Sequence, residues 1–323
     1  TRTYLSASLR RGSRSTRHAS SSGGIRVDTV EMQRRTLDLA WGRVSYLEWS
    51  PPEAARTVVL LHGGGVDSAE LSWGELGGSL ADAGARVLAP DHPGYGQSPP
   101  APWPATQDRL VSYVGEFVDG LGLRDYALGG LSLGGGMTLG HVLARPDAVG
   151  AALLFGSYGL MDRQYEGVLA GPLNLLSWAM VRTGAMSAVM RWSGRNRRLM
   201  ESSLAAIVRS PERRTPELMD AVAAAARDVG FEPFVQWQRD QIGPLHLRTN
   251  YTARLGEIRC PVLIVHGDHD TGVPVGRARE AARLIPDARL LVVEGAGHWV
   301  QRDRPDVVTP AVLEFLGLVP RTA

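Results

Sequence analysis

Apolar runs alternate with amphipathic stretches along most of the chain after residue 28. The apolar runs are short and rich in Val, Leu, Ile and Ala, as in strands that are covered on both faces. They occupy 57–63, 86–91, 125–132, 151–157, 261–267 and 288–295. Helical patterns lie near 70–83, 105–122, 135–145, 276–285 and 304–316. The alternation predicts an α/β fold with a doubly wound, mostly parallel sheet, led by a strand pair around Gly42.

One long interval interrupts this alternation. From about 158 to 255 no apolar strand run occurs, and Leu, Met, Trp and Ala recur in helical segments. A gap of that length is not a bare loop in a compact domain. We therefore predict an inserted helical lid over 158–255, between core segments at 28–157 and 256–323. Polar and helix-breaking residues interrupt its apolar run before about 18 residues are reached, so we expect no integral membrane segment.

The first 27 residues have a different composition. They are rich in Arg, Ser and Gly, with six arginines and no acidic residue. A flexible leader over 1–27 is the prediction we favour, although an organellar transit peptide has a similar composition. Because the formal net charge of the whole chain is only +2, the remainder is mildly acidic, and we expect no nucleic-acid partner. We expect a cytoplasmic protein.

Two features of the composition, the lack of lysine and the single cysteine, exclude whole classes of chemistry. All 35 Lys and Arg residues are arginine, which excludes Schiff-base, P-loop and Ser-Lys mechanisms. The one cysteine, Cys260, excludes an intramolecular disulfide and is expected to be a small buried residue.

The sharpest chemical signal is the sequence Gly130-Leu131-Ser132-Leu133-Gly134. It stands between a predicted strand and a predicted helix, which is the context of a nucleophile elbow. A serine on such a tight turn needs small neighbours at positions −2 and +2. A glycine-rich turn that only links a strand to a helix is the alternative.

A nucleophilic serine needs a base and an acid that orients the base. His298, in the sequence GAGHW after the last predicted strand, is the best candidate base. Asp268 and Asp270 compete as the acid in HGDHDTGVP; we favour Asp270, because Asp268 is closer to the strand end and suits a turn role. For the developing oxyanion, we expect the backbone N–H groups of Gly64, in LHGGG, and of Leu133.

Five motifs together carry a resemblance to a known family: LHGGG (61–65), DHPGYGQS (91–98), GLSLGG (130–135), HGDHDTGVP (266–274) and GAGHW (295–299). The chain resembles a lid-bearing α/β-hydrolase over about residues 30–320. The resemblance implies a serine nucleophile at Ser132, an acid at Asp270, a base at His298 and no cofactor. It also implies that Asp91 and Gly94 shape a turn beside the site.

We expect a cofactor-independent serine hydrolase whose substrate is a medium-sized apolar ester. The apolar lid predicts a pocket wall that adapts to an acyl or ring-bearing group, and we expect Gly65, Trp178 and Trp299 to contact it. The chain also resembles a second branch of the family, which cleaves C–C bonds of vinylogous diketones and uses a lid arginine to hold a substrate carboxylate; the candidates for that role are Arg182, Arg191, Arg195 and Arg239. That branch usually has a small polar residue before the serine, where this chain has Leu131. A non-hydrolytic cyclase, lyase or ligand-binding protein remains a further alternative. The oligomeric state is left open.

Overall fold

In a computed structural model of the chain, the described residues are 29–228 and 230–318. The leader predicted over 1–27 lies outside the described residues.

An eight-stranded sheet runs through the described part of the chain. Its strands are β1 (Met32–Leu39), β2 (Gly42–Trp49), β3 (Arg56–Leu61), β4 (Ala85–Pro90), β5 (Tyr126–Leu131), β6 (Val149–Phe155), β7 (Val262–Gly267) and β8 (Ala288–Val293). The order across the sheet is β1-β2-β4-β3-β5-β6-β7-β8. β2 pairs antiparallel with both β1 and β4, and the remaining neighbours are parallel. The predicted doubly wound, mostly parallel sheet is confirmed.

Helices flank the sheet and also form one insertion. They are α1 (Ala69–Asp82), α2 (Gln107–Gly120), α3 (Leu133–Ala144), α4 (Ala170–Thr183), α5 (Ala185–Gly194), α6 (Arg197–Ile207), α7 (Pro216–Asp228), α8 (Glu232–Gln241), α9 (Val275–Leu284), α10 (Val300–Asp303) and α11 (Pro305–Leu316). The first two begin at side-chain caps, since Ser68 and Thr106 accept the amide hydrogens of Leu71 and Arg109.

The sheet is covered on both faces, which explains why its central strands are continuously apolar. Successive residues of β3 point to opposite sides, so Val59 and Leu61 join one buried cluster while Val58 and Leu60 join the other. All four side chains are fully buried. Both clusters are contiguous cores, and together they hold the strand ends rigidly in place.

Among the residues that the structure describes, five α-helices, α4 to α8, lie between β6 and β7. This helical insertion occupies the interval where no strand was expected. Gly184, with φ +80°, ends α4 and allows α5 to begin at the next residue. No helix among the described residues is both long and apolar enough to cross a membrane.

Candidate active site

The candidate residues lie on loops that follow four parallel strands. Because parallel strands end at the same edge of a sheet, the loops after β3, β5, β7 and β8 meet there. They carry Gly64, Ser132, Asp270 and His298 in turn. The fold therefore gathers residues that are far apart in the sequence.

Ser132 stands on a tight turn between β5 and α3, with a left-handed φ of 52° and ψ of −112°. A Cβ on Gly130 would lie 2.1 Å from the carbonyl oxygen of Gly134, and a Cβ on Gly134 would lie 2.2 Å from that of Leu61. The turn is also held by the Ser132 amide, which donates to the carbonyl oxygen of Phe155 at 2.9 Å. The strained serine and its two obligatory glycines have the backbone geometry of a nucleophile elbow.

His298 and Asp270 form a hydrogen-bonded pair. The Nδ1 atom of His298 lies 2.8 Å from Oδ2 of Asp270. Because an ionised carboxylate only accepts, Nδ1 carries the hydrogen and Nε2 keeps its lone pair. The other carboxylate oxygen accepts the amide hydrogens of Gly272 at 2.7 Å and Val273 at 2.9 Å. The Asp270 side chain is fully buried and that of His298 is 13% exposed. The carboxylate therefore lies behind an imidazole that is still accessible.

The charges of this pair shift the pKa of both His298 and Asp270. Burial opposes protonation of His298, but the negative charge of Asp270 and its hydrogen bond outweigh this and raise the pKa of His298 above its usual value. Burial alone would raise the pKa of Asp270, but His298 lowers it below its usual value. Asp270 is thus held as a carboxylate, which is the state that can orient the imidazole.

Asp268 occupies a different place from Asp270. Its Oδ1 accepts the amide hydrogen of Gly295 at 2.7 Å, as expected for a turn residue. His266 is fully buried, and its Nε2 lies 2.8 Å from the carbonyl oxygen of Val273. Both therefore shape the loops that carry Asp270 and His298.

The loop after β3 supplies the candidate oxyanion donor. Gly63, Gly64 and Gly65 all line the same cavity as Ser132. A Cβ on Gly64 would lie 2.5 Å from the ring of Phe234, so the insertion packs directly on this loop. Leu133 is the first residue of α3, and its amide hydrogen has no carbonyl partner within the helix.

Asp67 is a buried carboxylate that the sequence motifs do not indicate. It accepts the amide hydrogens of Gly63 and Ser68, both at 2.7 Å, and the hydroxyl of Ser72 at 2.7 Å. It is 2% exposed, and burial raises its pKa to about 7. Asp67 therefore fixes the start of the glycine loop, and in its ionised form it adds negative potential near His298.

A second buried carboxylate ties the insertion to the loop of the candidate base. Asp303, 1% exposed, accepts the amide hydrogen of Gly297 at 2.7 Å. It also accepts those of Arg209 at 2.8 Å and Ser210 at 2.7 Å, which follow α6. The Trp299 amide donates to the carbonyl oxygen of Ile207 at 2.9 Å. No motif signals this link, because its members are distant in the sequence.

Ser132 and His298 face a cavity of about 380 Å³ between the core and the insertion. Most of its wall is apolar, and the apolar side chains are Val66, Met161, Met200, Leu204, Ile207, Val222, Phe231, Phe234, Trp237, Ile242, Leu247, Val273 and Trp299. The neutral polar side chains on the wall are Tyr158, Gln164, Ser193, Ser203, Gln238 and Gln241, and glycines complete it. Within the described part of the chain, no acidic residue and no arginine lines the cavity.

Two of the three residues expected to contact the substrate line this cavity, namely Gly65 and Trp299. Trp178 does not; it is half-buried and packs against one of the two core clusters. The reason is that its face of α4 meets the protein interior, which helical periodicity alone does not reveal. Across 29–228 and 230–318, no cluster of His, Cys, Asp and Glu side chains has a geometry that would hold a metal ion.

Comparisons with known proteins give a consistent result. Residues 56–305 match a family model described as the alpha/beta hydrolase fold. A 2-hydroxy-6-oxo-6-phenylhexa-2,4-dienoate hydrolase of Comamonas testosteroni is 28% identical over 291 residues, which cover 86% of this chain and 93% of the relative.

Two solved structures are similar in fold. The naproxen esterase of Bacillus subtilis superposes with a TM-score of 0.67 at 20% identity, covering 90% of this chain and 93% of that one. A 2-hydroxy-6-oxo-6-phenylhexa-2,4-dienoate hydrolase of a Rhodococcus strain also gives 0.67, at 24% identity, covering 90% and 100%.

Proposed function

The chain belongs to the alpha/beta hydrolase fold family, and from this premise we propose that it is a serine hydrolase of neutral, medium-sized apolar esters. One observation carries the proposal: a single apolar cavity exposes Ser132 and His298 together, with the buried carboxylate of Asp270 behind the imidazole. A serine on a strained turn, a base and an orienting acid are the three parts that acyl transfer to water requires.

In the proposed first half-reaction, the hydroxyl oxygen of Ser132 attacks the ester carbonyl carbon. Nε2 of His298 takes the hydroxyl proton, and Asp270 stabilises the imidazolium that forms. His298 then returns the proton to the leaving alkoxide, and an acyl-enzyme remains. In the second half-reaction a water molecule repeats the sequence on the acyl-enzyme and releases the acid.

Each tetrahedral intermediate places negative charge on the former carbonyl oxygen. We assign the backbone N–H groups of Gly64 and Leu133 as its donors, since one lies on the glycine loop and the other at the start of α3. A donor fixed in this way contributes about 3–4 kcal/mol to the transition state. Asp67 supports this arrangement by holding the amide of Gly63, the residue before the donor.

The character of the cavity wall supports a neutral substrate. A volume of about 380 Å³ suits a medium-sized ligand. A substrate carboxylate enclosed there would lose its hydration without gaining a cationic partner from the described residues that line the cavity. We therefore propose an acyl group that is apolar or ring-bearing, in contact with Trp299 and with the side chains from the insertion.

A second candidate is the hydrolysis of a C–C bond. The similarity to the dienoate hydrolase of Comamonas testosteroni favours it. Its named substrate is a carboxylate, however, and none of the arginines considered for that role, Arg182, Arg191, Arg195 and Arg239, lines the cavity. For this reason the ester remains our first proposal.

A substrate screen with a matched pair of variants tests the proposal. We expect p-nitrophenyl esters of medium acyl length to be hydrolysed with a higher kcat/KM than 2-hydroxy-6-oxo-6-phenylhexa-2,4-dienoate. Ser132→Ala should lower kcat by roughly 10⁴-fold or more. Ser112→Ala removes an exposed hydroxyl on α2, away from the cavity, and should leave kcat almost unchanged. Full turnover by Ser132→Ala would refute the mechanism, and a preference for the dienoate would establish the second candidate instead.

A further inference from the structure

The insertion exposes an unusual concentration of large apolar side chains. Of the ten large hydrophobic residues that are exposed in the described part of the chain, seven lie between residues 168 and 192. Val168 is 99% exposed, Leu169 64% and Trp192 63%. The others are Leu173, Leu175, Leu176 and Val189. A soluble surface normally scatters such residues singly, so a concentration of this kind marks an interaction site.

The same segment is strongly basic. Residues 167–200 contain five arginines and neither Asp nor Glu. Arg197 pairs with Glu201 and Asp220, both at 3.0 Å. The other four, Arg182, Arg191, Arg195 and Arg198, are exposed and form no ion pair with any carboxylate of the described residues. We call the exposed residues of 168–198 the lid surface.

Arginine and tryptophan also meet in an open cleft on the lid surface. Trp192, Arg195, Asn196, Arg197 and Arg198 line it. Guanidinium groups bind phosphate oxygens through paired hydrogen bonds, and the amphipathic ring of tryptophan suits the boundary between water and lipid. The cleft therefore has the chemistry for the headgroup of an anionic phospholipid.

We propose that the lid surface docks this protein onto the face of an anionic phospholipid bilayer. Exposed apolar residues enter the headgroup boundary and the four unpaired arginines meet lipid phosphates, as in helices that lie on a membrane without crossing it. A second copy of the chain fits less well, because a two-fold contact would bring the same arginines together with no carboxylate in 167–200 to face them.

The lid surface lies beside the cavity, so docking onto a bilayer would affect how a substrate reaches Ser132. Ser193 and Gly194, at the end of α5, line the cavity that contains Ser132, and Trp192 precedes them on the exposed side. Docking thus brings the cavity next to the apolar phase. An apolar substrate that partitions into lipid can reach the cavity through a short path with little exposure to water.

Vesicle co-sedimentation of the full chain tests the proposal without reference to catalysis. The double variant Arg191→Gln/Arg195→Gln removes two charges from the lid surface, and Trp192→Ser removes its exposed ring. The matched controls lie on α9: Arg279→Gln/Arg283→Gln removes two exposed arginines and Leu284→Ser one exposed apolar side chain. The six arginines of 1–27 are present in every variant, so differences between variants report the lid surface alone.

We expect wild type to bind vesicles of phosphatidylcholine that contain about a third phosphatidylglycerol, and to bind pure phosphatidylcholine much more weakly. Loss of two lid arginines should weaken binding to the anionic vesicles roughly 30-fold, and added salt should abolish the difference. Trp192→Ser should weaken binding as well, while both α9 variants bind as wild type does.

Three results would overturn the proposal. The first is that wild type does not bind anionic vesicles. The second is that the lid-surface variants and the α9 variants bind equally well. The last is a dimer in size-exclusion chromatography that the lid variants dissociate, since a second copy would then occupy the surface.

Discussion

Replacement of Asp270 by asparagine tests the proposed acid at the level of single atoms. An asparagine side chain has one accepting oxygen and one donating NH2 group. At Oδ1 of Asp270 it meets two amide donors, from Gly272 and Val273, whereas at Oδ2 it meets one ring N–H from His298. The asparagine oxygen should therefore stay at the Oδ1 position, and its NH2 group should face Nδ1 of His298.

The size of the effect follows from this orientation. The reversed orientation would leave the amide hydrogens of Gly272 and Val273 without an acceptor, at a cost of about 1–3 kcal/mol. In the favoured orientation Nδ1 must accept, so the hydrogen moves to Nε2, and Nε2 no longer takes the proton of Ser132. A base in the wrong tautomer lowers kcat by about 10⁴-fold in serine hydrolases, which corresponds to about 5.5 kcal/mol.

The assay is kcat and KM for a medium-chain p-nitrophenyl ester, with thermal unfolding as a check on the fold. Asp268→Asn is the matched control, because the carboxylate of Asp268 accepts from the Gly295 amide and an asparagine oxygen can do the same. We expect the control to stay within about threefold of wild type. Asp270→Asn with more than about a tenth of the wild-type kcat would refute the assignment.

Three further results are expected. The acidic limb of kcat/KM should have its midpoint above 6.5, because Asp270 raises the pKa of His298 and only the neutral imidazole accepts a proton; a profile that stays flat to acid pH would count against this base. Gly134→Ala should abolish soluble folded protein in an expression assay, since its Cβ would lie 2.2 Å from the Leu61 carbonyl oxygen. Burial raises the folded pKa of Asp67 to about 7 from 3.8, so its contribution to stability is full below about pH 4 and is lost as pH rises through about 7. In urea unfolding, the difference between the free energies of unfolding of wild type and Asp67→Asn should therefore fall as pH rises over that range. A difference that stays constant would contradict the raised pKa of Asp67.

The sequence predicts the sheet well because each central strand is buried on both faces. Such strands, including β3 and β7, are continuous apolar runs that local reading detects. The elbow at Ser132 is equally visible, since the glycines at 130 and 134 are required by contacts within the turn and with β3. The choice of Asp270 over Asp268 rests on distance from the strand end, and the structure places Asp270 against His298.

The features that the sequence does not reveal depend on contacts between distant segments. Trp178 was expected at the substrate, yet it packs against the core, because composition does not say which face of α4 turns inward. Asp67 and Asp303 look like ordinary surface acids in the sequence. Only the folded chain shows that each is buried and accepts backbone amides beside the candidate site.

The hydrogen bonds of Asp303 bear on how this scaffold can be re-engineered. Since one carboxylate accepts amides on both sides of the boundary, from Arg209 and Gly297, the helical insertion is not an interchangeable module. A chimera with a foreign helical insertion between β6 and β7 would lose the amide donors of Arg209 and Ser210. Asp303 would then have unpaired acceptor oxygens, and the Gly297 peptide next to His298 would be held less firmly. Grafting must therefore transfer residues 295–303 together with the helical insertion, so that the amides of Gly297, Arg209 and Ser210 keep the acceptor they share.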